Sequence, residues 1–143
     1  MPSETDNVFY QHSVRASYMP VKVHIMPLTE FTRPGDGGEM SGIKAYVSLL
    51  DEFDCQIKAP VVFRFELYEY VQPSAEPKGR RIAIWPDVDL TQAAANNQYW
   101  RDFLRAYQFN LDFVPQRNQS YILQVTSLCP TGKRLSAEFT LKN

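Results

Sequence analysis

At 143 residues, with 15 Lys and Arg against 16 Asp and Glu, the chain is one domain of ordinary size carrying a net charge of −1. That balance gives no electrostatic reason to expect nucleic acid or an anionic membrane as a partner, and no apolar run approaches the ~20 residues of a membrane-spanning helix. Nine Phe, eight Tyr and two Trp suffice for a packed interior, and two cysteines exclude a disulfide framework or a cysteine-based zinc site.

Residues 1–19 are polar and aperiodic and read as a flexible N-terminal arm, leaving 20–143 as a single β-sandwich domain. The arm lacks a basic start followed by an apolar core. The expected location is therefore the cell envelope or a periplasm-like compartment if an export signal was removed, and otherwise the cytoplasm. Val21, Val23 and Ile25 then alternate with Lys22, His24 and Met26, bracketed by Pro20 and Pro27, as suits an edge strand. The loop over 28–41 contains RPGDGGEM, which lacks the GK[ST] ending and following helix of a phosphate-binding loop, and no cofactor is expected.

The clearest pattern spans 42–70. Ile43, Ala45, Val47 and Leu49 alternate with Lys44, Tyr46, Ser48 and Leu50; after an acidic turn, Val61, Phe63, Phe65 and Leu67 alternate with Val62, Arg64, Glu66 and Tyr68. Period-two alternation with β-branched and aromatic residues predicts two strands whose apolar faces need a second sheet to cover them. A loop over 72–80 leads to a short strand, Arg81 to Trp85, with Ile82 and Ile84 on one face, ended by Pro86. Residues from Asp89 to Ala95 predict one or two helical turns capped by Asp89 or Thr91 and ending at Asn96-Asn97. The run YWRDFLRAYQFNLDF carries both helical and strand spacing, and 105–113 reads as strand. Tyr121 to Leu128, the connection Cys129 to Lys133, and the alternating Leu135, Ala137, Phe139 and Leu141 form a C-terminal hairpin.

Seven strands with no repeated βα unit predict an all-β fold: an antiparallel immunoglobulin-like (prealbumin-like) sandwich with one short helix in the 87–104 connection. Val114-Pro115 followed by Tyr121 resembles the entry to the sixth strand of immunoglobulin-like domains, where a tyrosine hydroxyl bonds back to the backbone upstream. At whole-chain scale, SLLDEFDCQIK, VFRFELYEY, IWPDVDL, NNQYWRDFLRAYQFNL and CPTGKRLSAEFTL resemble a family of uncharacterised planctomycete proteins, many described as lipoproteins, over about residues 20–142. The resemblance implies a cell-envelope module of immunoglobulin-like or prealbumin-like fold and brings no activity with it. The lipid-carrying cysteine of that family belongs to the leader, and no cysteine precedes residue 20 here.

Alternate loops of such a sandwich share an end, which groups 51–60, 87–104 and 129–133 against 28–41, 71–79 and 114–119. The first end collects Asp51, Glu52, Asp54, Asp87 and Asp89, which could hold a calcium ion or could serve as turn and capping residues. Tyr68, Tyr70, Trp85, Tyr99 and Trp100, with Tyr46, could stack on sugar rings or anchor a protein, or could pack at the sheet edges. Cys55 and Cys129 are expected at one end, where a disulfide is possible if the Cα atoms come within about 7 Å; the alternative is a pair of small buried hydrophobes. The two histidines, His12 and His24, have no acid or nucleophile at a telling spacing, and neither G-x-S-x-G nor H-E-x-x-H occurs. The expected function is a non-catalytic interaction or structural module of the cell envelope with a protein or glycan partner. A carbohydrate-binding module using exposed Tyr and Trp is the alternative, and a hydrolase is the third reading.

Overall fold

A computed structural model of the chain describes residues 19–72 and 75–143, so the expected arm falls outside the described residues except for Met19. The described chain runs β1 (Lys22–Ile25), β2 (Glu30–Thr32), β3 (Gly42–Leu50), β4 (Gln56–Ile57), β5 (Val62–Tyr70), β6 (Lys78–Ile84), β7 (Val88–Asp89), α1 (Ala93–Tyr99), β8 (Trp100–Arg101), β9 (Ala106–Asp112), β10 (Ser120–Leu128) and β11 (Arg134–Lys142). All strand pairs are antiparallel and form two sheets, one of six strands and one of five. The protein is an antiparallel β-sandwich with one short helix.

The strand count is eleven among the described residues, not seven, and two prolines account for much of the difference. β1 and β2 both pair with the same edge of β3, and Pro27, which has no N–H to donate, lies in the break between them. Thr29 repairs the gap: its hydroxyl accepts the Tyr46 N–H at 3.0 Å. On the other sheet β6 and β7 both pair with β5, broken around Pro86. Proline is tolerated at such edge positions and not in a central strand. The two-residue strands β4 and β8 make up the remainder.

With each broken edge counted as one run, the first sheet places the first, second and fifth runs side by side, and the second places the seventh, sixth, third and fourth. This is a Greek-key order of the immunoglobulin-like kind, with the fourth run beside the third instead of beside the fifth. The inner faces follow the sequence alternation: Ala45, Val47 and Leu49 of β3, Phe63, Phe65 and Leu67 of β5, and Leu123 and Val125 of β10 are all essentially buried. Phe109 bridges the sheets, its ring centroid 4.8 Å from Phe65 and 5.2 Å from Phe63. The Tyr121 hydroxyl accepts the Gln116 N–H at 2.8 Å, the predicted tyrosine corner.

Three local expectations are corrected. Ile84 is not in the core; it is half exposed, because the register shift between Leu67 and Tyr68 leaves Ile82 without a ladder partner and pairs Ile84 with the outward-facing Glu66. This shift and a second between Tyr68 and Tyr70, with Lys78, Arg80 and Arg81, also blunt an otherwise open sheet edge. Ile122, on the outward face of β10, is buried instead. The helix begins at Ala93 with Gln92 at its N-cap, four residues later than Asp89, because Asp89 belongs to β7. Truncating Phe65 to Ala removes a side chain from between the sheets and is expected to cost about 3–5 kcal/mol in chemical denaturation; a loss below about 1 kcal/mol would contradict this placement.

Candidate functional site

The five carboxylates grouped from the sequence do not converge, and no cluster of three or more metal-ligating side chains occurs among the described residues. Each of four has local work. The buried Asp51 Oδ1 accepts the N–H groups of Phe53 and Cys55 at 2.8 and 2.9 Å. Asp54 lies 3.7 Å from Lys22 Nζ in an exposed pair. Asp87 is gripped by the Arg64 fork at 2.9 and 3.2 Å, whose hydrogen bonds hold its carboxyl below the usual range. Asp89 Oδ1 accepts from the Thr91 hydroxyl and N–H, which lowers its pKa in the same way. Glu52 is exposed at the tip of the same turn as Asp51. Asp at a turn bonds its neighbours' backbone readily, which is the reading the structure realises.

The aromatic set is likewise dispersed. Trp100 is buried, and Trp85 is half-buried against the core with its indole N–H on the Asp112 carbonyl at 3.1 Å. Tyr99 packs its ring 5.3 Å from Phe109. Tyr68 and Tyr70 stand on the outer face of β5, where both hydroxyls are engaged: Tyr68 donates to Glu66 at 2.9 Å, and Tyr70 accepts from Gln72 at 3.1 Å. Burial favours the neutral form of Glu66, but hydrogen bonds from Arg81 and Tyr68 outweigh it and hold the carboxyl below its usual range. Lys78 Nζ lies 4.8 Å over the Tyr68 ring and reaches Gln124 and Glu138 on the far strands, so this face is tied by its own side chains. Tyr46 is half-buried on β3.

Both cysteines are free in the structure. Cys55 is exposed in the turn after β3, whereas Cys129 is buried at the base of the β10–β11 hairpin, where burial pushes its thiol up. A thiol of raised pKa is a poor nucleophile.

What the fold does bring together is a pair of turns at one end of the first sheet. The 51–55 turn presents Phe53, 73% exposed, and the 101–106 turn presents Phe103, 82% exposed. The turns are joined by Gln56, whose Nε2 donates to the carbonyls of Leu104 and Arg105 at 3.1 and 3.3 Å. Each contains a non-glycine residue in the left-handed region, Asp54 at φ 62° and Arg105 at φ 53°. Such conformations persist only where the surroundings over-determine them. For Phe53 the constraint is Asp51 Oδ1, which accepts hydrogen bonds from both the Phe53 and the Cys55 N–H. For Phe103 it is Asp102, which accepts from Trp100 Nε1 at 3.3 Å and from Arg105 at 3.1 Å, while the Arg105 guanidinium lies 5.2 Å from the Trp100 ring.

Beneath the second turn is a buried polar knot. The Tyr107 hydroxyl donates to Asn96 Oδ1 at 2.8 Å and accepts the Ala59 N–H at 3.1 Å; Asn96 Nδ2 donates to the carbonyls of Ala59 and Leu90 at 2.8 and 3.0 Å. Burial raises the Tyr107 pKa, opposed by its bonds to Ala59 and Asn96, so the hydroxyl stays neutral. The knot ties α1, β9 and the 58–61 segment into one rigid base. Sequence reading missed the two phenylalanines. The available signal was an aromatic set among turn-forming acids, DEFD and RDF, which periodicity does not interpret.

No protein-family model, curated protein or solved structure matches the chain. The clamp on Phe53 has a direct test: Asp51→Ala strands two backbone N–H groups, and amide exchange at Phe53 and Cys55 is expected to accelerate at least about tenfold beyond the change in β5, equivalent to ~1.4 kcal/mol of local protection. Exchange at those amides that tracks β5 would contradict it.

Proposed function

We propose that the domain is a non-catalytic β-sandwich interaction module that binds a protein partner through Phe53 and Phe103. The observation that carries this reading is that two phenylalanines, exposed to 73% and 82%, stand on neighbouring turns that side-chain clamps hold in strained conformations. Large exposed aromatics presented rigidly lose little conformational entropy on docking and are frequent energetic anchors of interfaces. Glu52, Asp54 and Asp102 on one hand, and Lys22, Lys58 and Arg105 on the other, surround them, which suits a partner with an apolar pocket and a rim of both charges. The sequence resemblance supports reading it as a module of the cell envelope. A sugar platform of tryptophans receives no support, because Trp100 is buried and Trp85 spends its indole N–H on Asp112.

A photo-crosslinking residue placed at 53 or 103 in the producing cells tests the reading. One discrete adduct from both positions is expected, absent when the residue is placed at Lys133 and lost from 103 on Phe53→Ser. Phe53→Ser and Phe103→Ser should each change stability by no more than about 0.5 kcal/mol, as exposed substitutions do. No adduct, or the same adduct from Lys133, would refute the proposed surface.

A further inference from the structure

The end of the sandwich opposite the two phenylalanines carries a cleft of about 580 Å³ between the 33–41 and 113–119 loops, within the range of small-ligand sites. Arg33 and Glu39 enter it from the first loop and Arg117 from the second, with Met40, Pro115 and Asn143 completing the wall. Arg64, Arg80, Arg81 and Arg105 are each paired with a carboxylate, whereas neither Arg33 nor Arg117 is, among the described residues. The cleft thus gathers two guanidiniums, neither within ion-pair distance of a carboxylate among the described residues, with Glu39 and the last residue, Asn143, on its wall.

Arg33 is held in place. Its Nη1 donates to the Gly38 carbonyl at 3.0 Å across a loop in which Gly37 and Gly38 adopt φ 87° and 98°, a region glycine enters without strain. Met40 packs against the core and gives the cleft a fixed apolar wall. On the other side Asn143 Nδ2 donates to the Gln116 carbonyl at 2.8 Å, which orients the amide.

We propose that this cleft binds an acidic sugar of the uronate type. The guanidinium fork matches a carboxylate in two parallel hydrogen bonds, and two forks from separate loops fix its position. Glu39 decides between classes of anion. It repels a ligand that is only acidic, such as a polyglutamate peptide, but accepts from sugar hydroxyls, as the Asn143 amide oxygen also does. The apolar wall of Met40 and Pro115 suits the C–H face of a pyranose ring. The inference is independent of the phenylalanine surface, which lies at the other end.

The test titrates the whole chain with trigalacturonate, the neutral galactose trisaccharide, triglutamate and acetate, each followed by backbone amide shifts. Saturable binding of trigalacturonate is expected, with the largest shifts at Gly38, Met40 and Arg117. The neutral sugar, triglutamate and acetate should each bind at least about tenfold more weakly, the equivalent of ~1.4 kcal/mol. Arg33→Gln and Arg117→Gln should each weaken trigalacturonate about tenfold while the circular dichroism spectrum is kept, and Arg134→Gln on the outer face of β11 should leave it unchanged. Equal binding of the neutral sugar, of triglutamate or of acetate would overturn the uronate assignment, as would no binding of trigalacturonate or indifference to both arginine variants.

Discussion

The Tyr107 hydroxyl is the group on which the arrangement of one whole end depends. A long excursion, from β7 through α1 to β8, leaves the second sheet and returns to the first, and its helix is only seven residues long with no side-chain cap. A helix that short does not hold itself together in water. It is held because its own buried residue, Asn96, hydrogen-bonds to Tyr107, Ala59 and Leu90. A satisfied buried network specifies one geometry, since any displacement leaves a polar group without a partner in a low-dielectric interior. Trp100 follows α1 directly and packs its ring 5.1 Å from Tyr107, so the knot also positions the clamp under Phe103.

The edges of the sandwich show a second constraint. Both sheets have an interrupted run at one edge, and each interruption lies at a proline. The interruptions cost ladder hydrogen bonds, which Thr29 recovers in one case and the Trp85 and Leu90 N–H groups recover in the other by donating to Phe65 and Val61. A broken, charged and bulged edge is a poor template for adding strands. The exposed phenylalanines and the arginine-lined cleft lie away from these edges, at the two ends of the sandwich.

Where each side chain had a partner on a regular ladder, the sequence was readable. The inward residues of β3, β5 and β10 are those of the alternation, and Tyr121 turns its corner as its spacing after Pro115 suggested. Legibility ended where regularity did. One register shift, between Leu67 and Tyr68, set Ile84 on the outer face, and Ile122, between Tyr68 and Thr140 on the outer face, is buried although its alternation points outward. Several carboxylates from separate loops share an end, which left calcium binding and turn or capping roles both open; Asp51, Asp87 and Asp89 accept hydrogen bonds that spacing does not distinguish from metal ligation. Trp100 and Phe103, three residues apart, could have exchanged roles on pattern alone. Which one is buried is fixed by the Tyr107 knot, and that knot joins positions 48 and 11 residues apart.

A double-mutant cycle between Tyr107 and Asn96 measures this constraint directly. Tyr107→Phe keeps the ring and removes only the hydroxyl, while Asn96→Ala removes the partner. Each single change is expected to cost about 1–3 kcal/mol, the range for orphaning buried polar groups. The double variant should lose less than the two added together, with a coupling of at least about 0.5 kcal/mol. Additivity within about 0.3 kcal/mol would show that the knot is not a unit and would contradict its role in holding α1 and the Phe103 turn.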